Sequence, residues 1–321
     1  MGITRIRNLI LLSFIVLIIV SCKEQKKAAT VEEVAVAMDI VGEEVNYATE
    51  GSTKASYDEL LLARERLLKS SNENNPIIVN LDKQIEALKW SMQTSMKGFI
   101  AFNAASEAKR PGILVVHEWW GHNDYTRERA NMLAELGYTA FAVDMYGDGK
   151  QANHPDDAGK FSGMVMQNID EAQARFDAAL KILKAHPSVD STQIAAIGYC
   201  FGGSVVLTMA NAGKDLDAVA AFHSGVQLPI MPNSDLKAKV LVCNGAADPF
   251  VSPESVVNFK KAMDSIQAKY TYIAYEGAQH AFTSKEADSL GKKFSLPLAY
   301  QEKADRESWD ELKKLLNNTF R

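Results

Sequence analysis

Three side chains able to form an acyl-transfer centre follow one another in the order nucleophile, acid, base: Cys200, Asp248 and His280. The cysteine lies in Gly198-Tyr199-Cys200-Phe201-Gly202-Gly203, directly after the apolar run Ile194-Ala195-Ala196-Ile197. In a strand, sharp turn, helix unit of the form G-x-nucleophile-x-G, glycines let backbone crowd around a strained central residue whose side chain projects into an open pocket. A helix starting at Phe201 to Gly203 would bring free amides and a partial positive charge to the sulfur, an environment that stabilises an anion. Such a nucleophile needs a base to hold its proton and an acid to orient that base. Asp248 sits in Gly245-Ala246-Ala247-Asp248-Pro249, where the acid would be needed, although Asp-Pro is also a frequent turn signal. His280 follows the last strand-like run, in Gly277-Ala278-Gln279-His280-Ala281-Phe282.

Five other histidines compete for the role of base. His186 precedes a proline at a helix end, and His154 lies in a polar loop. His117 and His223 end strands and could line a pocket, but they precede the acid in sequence, as does His122. No pair has the H-x-x-x-H or C-x-x-C spacing of metal ligands, so neither metal nor cofactor is expected. Of the three cysteines, Cys243 falls in the run Val240-Leu241-Val242-Cys243 and reads as a buried structural thiol. No disulfide between it and Cys200 is expected, because a reacting thiol must stay free.

The elements that must carry these residues alternate short apolar runs with helical stretches from Pro111 onward. That pattern predicts parallel strands covered by helices on both faces. Strands are expected at Gly112 to His117, Thr139 to Val143, Ile194 to Tyr199, Ala218 to Phe222, Val240 to Asn244 and Tyr270 to Tyr275. Helices are expected at Thr126 to Leu136, Ile169 to Ala185, Gly203 to Ala212, Pro253 to Ser265 and Tyr300 to Asn317. Upstream, Glu44 to Tyr47 and Gly98 to Phe102 read as partners in an antiparallel hairpin, interrupted by residues 54–95. That insertion reads as two helices packed antiparallel, with Leu60, Leu61, Leu67 and Leu68 facing Ile78, Leu81, Ile85, Leu88 and Met92. It is either a self-packing insertion or an arm for self-association or docking.

The first residues break the globular pattern: Arg5 and Arg7 precede the apolar stretch Leu9 to Val20, which ends at Ser21-Cys22. Residues 1–21 therefore read as a signal peptide. The junction Ile19-Val20-Ser21-Cys22 resembles the lipobox of bacterial lipoproteins, which implies lipidation of Cys22. A retained membrane anchor is the alternative, against which the run is shorter than the roughly 20 residues of a spanning helix. Either way the protein is expected in the cell envelope, outside the cytoplasm. Residues 22–41 are expected to form a flexible tether, and 42–321 the folded domain. With 47% hydrophobic and 23% charged residues the chain is globular, and a net charge of -5 gives no broad cationic field for nucleic acid.

Val116-His117-Glu118-Trp119-Trp120-Gly121 and Asp144-Met145-Tyr146-Gly147-Asp148-Gly149, taken with the cysteine elbow, the Asp248 turn and the His280 segment, resemble the dienelactone hydrolase family of α/β-hydrolases. The resemblance runs from about Glu44 to the C-terminus without the insertion. It implies an α/β-hydrolase fold, a mostly parallel central sheet flanked by helices, here with an inserted antiparallel helical hairpin. It implies cleavage of an ester or lactone through a Cys200-His280-Asp248 triad and an acyl-enzyme, without a cofactor. It further implies that Glu118 is a catalytic accessory interacting with the resting thiol, and that the backbone N–H groups of Trp119 and Phe201 form the oxyanion hole. Trp119, Trp120, Tyr146 and Phe282 are expected around the pocket. One departure concerns substrate. Family members acting on dienelactone carry an arginine four residues beyond the histidine, where this chain has Ser284, with Lys285 beside it. Lysine cannot reproduce arginine's planar fork, so dienelactone itself is not the expected substrate. A thioesterase or small amide hydrolase, and a non-catalytic envelope binding protein, are the other readings. The expected partners are a small-molecule ester or lactone, the membrane through the lipid, and a second copy through residues 54–95.

Overall fold

The computed structural model describes residues 5–13, 35–48, 52–93 and 95–321. Its centre is a parallel run of strands, buried on both faces in the middle of the sheet and partly exposed at the edge strand Tyr270–Tyr275. These are β4 (Arg110–Val116), β5 (Thr139–Val143), β6 (Val189–Tyr199), β7 (Ala218–Phe222), β8 (Lys239–Gly245) and β9 (Tyr270–Tyr275). Every residue of β5 and β7 is buried. β1 (Arg5–Ser13), β2 (Ala35–Tyr47) and β3 (Met96–Asn103) add an antiparallel wing, giving the order β1-β2-β3-β5-β4-β6-β7-β8-β9. Strand order reverses at β4, which pairs with β5 on one side and β6 on the other. In open sheets of this kind a crevice forms at the carboxyl ends beside the reversal.

Helices cover both faces. α5 (Ile169–Ala185), α6 (Phe201–Asn211) and α7 (Pro253–Ser265) bury Phe176, Val205 and Phe259 on one side. α3 (Asp124–Glu135) and α9 (Glu302–Phe320) bury Leu133 and Leu312 on the other. β5, β7, β9, α5 and α7 have the bounds expected from sequence. Two helices were not expected: α4 (Pro155–Gln167) and α8 (Ala287–Phe294). α4 starts on a local signal. The His154 ring accepts the Asp156 N–H at 3.2 Å, Pro155 occupies the first turn, and Asp156 and Asp157 face the helix dipole there.

α1 (Ser52–Leu68) and α2 (Pro76–Gln93) form the inserted helical hairpin between β2 and β3. Ile78 and Ile85 are buried, Leu60 and Leu67 are half-buried, and Arg64 pairs with Asp82 across the two helices. The side chains of Leu88 and Met92 lie outside the described residues. The expected tether is shorter than residues 22–41, because β2 begins at Ala35 and buries Ile40 and Val41 against β3. The alternation Ile40-Val41-Gly42-Glu43-Glu44-Val45 pairs in register from Ile40↔Asn103 to Tyr47↔Met96. Arg5–Ser13, within the segment read as a signal peptide, pairs with the outer edge of β2 as β1. The Ser21-Cys22 junction lies outside the described residues. Among the described residues no helix is long and apolar enough to cross a membrane.

Candidate active site

β6 delivers Cys200 to the carboxyl edge of the sheet, and α6 begins at the next residue. Cys200 has φ +53° and ψ -117°, a conformation that costs a non-glycine residue about 1–3 kcal/mol. The neighbouring glycines make it possible. A Cβ on Gly198 would lie 2.1 Å from the Gly202 carbonyl oxygen, one on Gly202 would lie 2.3 Å from the Val116 oxygen, and one on Gly203 would strike Ser224. Backbone therefore packs against backbone on both sides of the bend, and the thiol is pushed outward.

The loop after β9 brings His280 to that thiol, with Nε2 3.1 Å from the Cys200 Sγ. The loop after β8 brings Asp248, whose Oδ2 lies 2.7 Å from His280 Nδ1 and whose Oδ1 accepts the Phe250 N–H at 2.9 Å. These two loops are locked together. The Ala247 N–H donates to the Ala278 carbonyl at 2.9 Å, and a Cβ on Gly245 would lie 2.2 Å from that same oxygen. Burial of His280 disfavours its charged form, but the adjacent sulfur and the Asp248 carboxylate outweigh this and raise its pKa to about 10. Cys243 is fully buried, 3.6 Å from the Tyr275 hydroxyl, and burial pushes its thiol up to about 12. Both cysteines are free thiols.

Two residues that line one cavity with Cys200 carry amide groups without an acceptor among the described residues. Phe201 is the first residue of α6 and Trp119 follows the carboxyl end of β4; among the described residues neither N–H is bonded. The Trp119 peptide is held from its other side, because the Tyr146 hydroxyl donates to its carbonyl at 2.9 Å. His117 fixes the same loop: its Nε2 accepts the Met145 N–H at 3.2 Å, so Nδ1 donates to the Glu118 carbonyl at 2.6 Å. Asp144 gathers the amides of Tyr146, Gly147, Gly149 and Lys97 on its carboxylate and so shapes the turn that carries Tyr146.

The family model of the dienelactone hydrolase family matches residues 96–320. The chain belongs to the dienelactone hydrolase family. Usf protein of Aquifex pyrophilus is 29% identical over 185 residues, covering 56% of this chain and 80% of that one. The solved structure of m3DLH superimposes with a TM-score of 0.68 at 33% identity, over 72% of this chain and 95% of its own. A dienelactone hydrolase-like promiscuous phosphotriesterase from metagenomic libraries gives 0.66 at 31% identity, with the same coverage. This dienelactone hydrolase family member has the α/β-hydrolase fold and is an ester or lactone hydrolase.

In this family member a cavity of about 360 Å³ opens over Cys200 and His280 and is lined by Trp119, Phe201, Phe250 and Leu298. α4 supplies one wall through Gly159, Ser162, Gly163 and Met166, and Ser204 and Gly225 complete the lining; none of these was singled out from sequence. Three expected pocket residues lie elsewhere. Tyr146 is buried between His117, Phe161 and Phe201, with its hydroxyl on Trp119. Phe282 is packed in the core against His223 and Tyr275. Trp120 stacks on Phe294 and lines a separate cavity. Glu118 does not touch the thiol. Among the described residues its carboxylate accepts no hydrogen bond, and His223 Nε2 lies 3.9 Å from it. Burial raises its pKa to about 7, against the lowering influence of His280 and Arg129.

Beneath Glu118 lies a network that the sequence did not announce. His223 Nε2, Thr283 Oγ1 and the Tyr125 hydroxyl form a chain at 2.7 and 2.6 Å. Arg129, buried among the rings of Tyr125, Tyr199 and Trp309, donates to the Thr283 carbonyl at 2.7 Å and pairs with Asp305 at 2.8 Å. It thereby ties α3 and α9 to the loop that carries His280. Neither His117 nor His223 lines the Cys200 cavity, and His154 and His186 serve local turns. His122 is buried with burial lowering its pKa to about 3, so it stays neutral.

Proposed function

We propose that the hydrolase works through a cysteine nucleophile. The observation that carries the reading is the contact of 3.1 Å from His280 Nε2 to the Cys200 sulfur, continued by the 2.7 Å contact from Nδ1 to Asp248. The sulfur attacks the carbonyl carbon of an ester or lactone, and the proton it gives up resides on His280. Negative charge developing on the carbonyl oxygen is met by the N–H groups of Trp119 and Phe201, each such donor contributing roughly 3 kcal/mol to the lowered barrier. The C–O bond then breaks, His280 delivers its proton to the departing alkoxide, and a thioester links acyl group to enzyme. Water, deprotonated by the now neutral imidazole, attacks that thioester, and the sulfur leaves to restore the starting pair. Asp248 holds the ring orientation and the charge through both halves. Glu118 would act as an accessory through the electrostatics of the His280 neighbourhood, being buried and close enough to feel its charge.

Replacing Cys200 with alanine is expected to reduce turnover of small aryl esters and lactones by about a thousandfold or more, with the fold retained by circular dichroism. Hydrolysis undiminished in that variant would take the thiol out of the mechanism. We further propose a lipid anchor at Cys22 that holds the enzyme in the cell envelope, supported by the basic start, apolar centre and Ser21-Cys22 junction. Mass spectrometry of the mature protein from a bacterial host should find a lipidated N-terminal Cys22. The α1/α2 hairpin is proposed as a self-association arm, supported by exposed Leu62, Ile77 and Val79.

A further inference from the structure

Next to the Cys200 cavity lies a second one of about 440 Å³, bounded by the loop after β4, the start of α3, the segment before α4, and α8. Its inner wall includes Glu118, Trp120 and Ser284, which are 4%, 7% and 5% exposed. Asp124, Glu286 and Lys293 stand exposed at its mouth. Glu118 is the anomaly. It is a carboxyl group on a residue 4% exposed that receives no donor from the described residues, and His223 Nε2, 3.9 Å away, is already bonded to Thr283 at 2.7 Å. Burial holds His223 well below its ordinary pKa, so the ring is neutral and offers no counter-charge. The carboxylate is not sealed in protein: it lines the open cavity, so a charged donor entering there meets an acceptor that no protein group occupies, and a hydrogen bond between opposite charges is stronger in such a partly dry site than in bulk water.

We propose that this cavity is a binding subsite for an organic cation, a primary ammonium or guanidinium group, that donates hydrogen bonds to Glu118 and is matched in charge by Asp124 and Glu286. The lining sets three carboxyl groups against one ammonium, and that ammonium, on Lys293, already lies 4.7 Å from the centre of the Phe294 ring. An anionic ligand would meet like charge. A metal ion would need converging ligands, and among the described residues no three His, Cys, Asp or Glu side chains form such a group. An ammonium or guanidinium instead needs one buried acceptor, a flanking aromatic surface and a negative mouth, which Glu118, Trp120 and the Asp124/Glu286 pair supply. The amides of Asn123, Gln151 and Asn153 add further polar surface. The inference rests on this cavity and not on the identity of the nucleophile.

Titration of the full-length protein with n-propylammonium, guanidinium, propionate and glycerol, followed by calorimetry and by NMR, tests it. The two cations should bind at least about tenfold more tightly than propionate or glycerol. Ser284→Arg sets a guanidinium into the same cavity wall and should weaken n-propylammonium by about tenfold or more. If that variant fails to fold, Asp124→Asn combined with Glu286→Gln, both at exposed sites, should weaken it by roughly two- to fivefold. Equal affinity for propylammonium and propionate would overturn the proposal. So would binding untouched by these substitutions, or displacement by sodium at equal concentration. Hydrolysis of a neutral aryl ester by wild type and Cys200→Ala, run alongside, reports on the nucleophile separately, so either reading can fail alone.

Discussion

At the scale of single residues, the bend at Cys200 is held by the absence of side chains around it. Because a Cβ at Gly202 would sit 2.3 Å from the Val116 carbonyl oxygen and 2.5 Å from that of His117, either α6 or the end of β4 must move to admit it. Gly202→Ala is therefore expected to destabilise the fold by roughly 3 kcal/mol or more in urea denaturation, and to lower ester turnover in whatever protein remains folded. Glu118 makes a different demand. Its folded pKa is raised by burial from 4.5 to about 7, so between these values the folded protein binds a proton that the unfolded chain has released. Stability from this group is thus fully present below about pH 4.5 and lost as pH rises through about 7. Glu118→Gln keeps the shape without the titration. Relative to that variant, wild type should lose on the order of 3 kcal/mol of unfolding free energy between pH 4 and pH 8, with the change centred between the two pKa values. Parallel stability curves for the two proteins would mean that the carboxylate is solvated or paired in solution. Ligand cations bound at Glu118 would shrink the difference, since they favour its charged form.

At the scale of elements, α4 walls the cavity over the Cys200 sulfur. Gly159 and Gly163 are one turn apart and both line the Cys200 cavity; a Cβ at Gly159 would meet nothing within 4 Å, and one at Gly163 only the end of Gln167 at 3.8 Å. Neither glycine is required by backbone conformation or close packing, so each keeps volume open at the expense of helix propensity, about 1 kcal/mol relative to alanine. Gly163→Ala should accordingly raise unfolding free energy by roughly 0.5–1 kcal/mol while lowering kcat/KM for bulky acyl esters more than for acetyl esters. A stabilised variant with an unchanged acyl-size profile would show that this wall does not touch substrate. α4 also marks where reading from sequence stopped. The meeting of Cys200, Asp248 and His280 was legible because each couples its side chain to a strand end with glycine or proline beside it. α4 carried a readable start in His154, Pro155 and the paired aspartates and a stripe of Ala158, Phe161 and Val165, but that stripe is short and is interrupted by Gly159 and Gly163, which weaken a helix signal. Arg129, Tyr125, His223 and Thr283 were beyond reach for another reason. They lie up to 158 residues apart and meet only through tertiary packing, so no local spacing encodes them. Of the aromatic residues expected around the pocket, Trp119 lines it, whereas Tyr146 and Phe282, 1% and 0% exposed, face core, because aromatic type reports burial and not which side of a wall a ring occupies.

At the scale of the whole molecule, the catalytic unit and its insertion meet at one narrow place. β2 and β3 remain paired up to Tyr47↔Met96, so the two ends of the inserted segment lie side by side across a sheet ladder. α1 and α2 pack chiefly on each other, through Ile78, Ile85 and the Arg64–Asp82 pair, and contribute nothing to the linings of the two cavities described above. Some contacts near the junction do serve the site. The Ser95 carbonyl accepts the Asp148 N–H at 2.6 Å, the Lys97 N–H donates to Asp144 at 2.9 Å, and the Asp144 N–H donates to the Tyr47 hydroxyl at 3.1 Å. A deletion must therefore spare residues 48 and 95. Replacing 49–94 with Asn-Gly, a dipeptide suited to tight antiparallel connections, closes the β2–β3 hairpin without disturbing those bonds. The shortened chain is expected to fold, with ester hydrolysis within about twofold of wild type, since neither the elbow nor the His280 loop loses a neighbour. Its mass by light scattering then assigns the arm. A smaller assembly than wild type would locate self-association on the exposed apolar residues Leu62, Ile77 and Val79, and an unchanged mass would remove that role from the hairpin. Loss of hydrolysis by a folded deletion variant would contradict the separation itself, and would mean that the helical pair orders the β5–α4 turn through contacts stronger than those at Ser95 and Lys97.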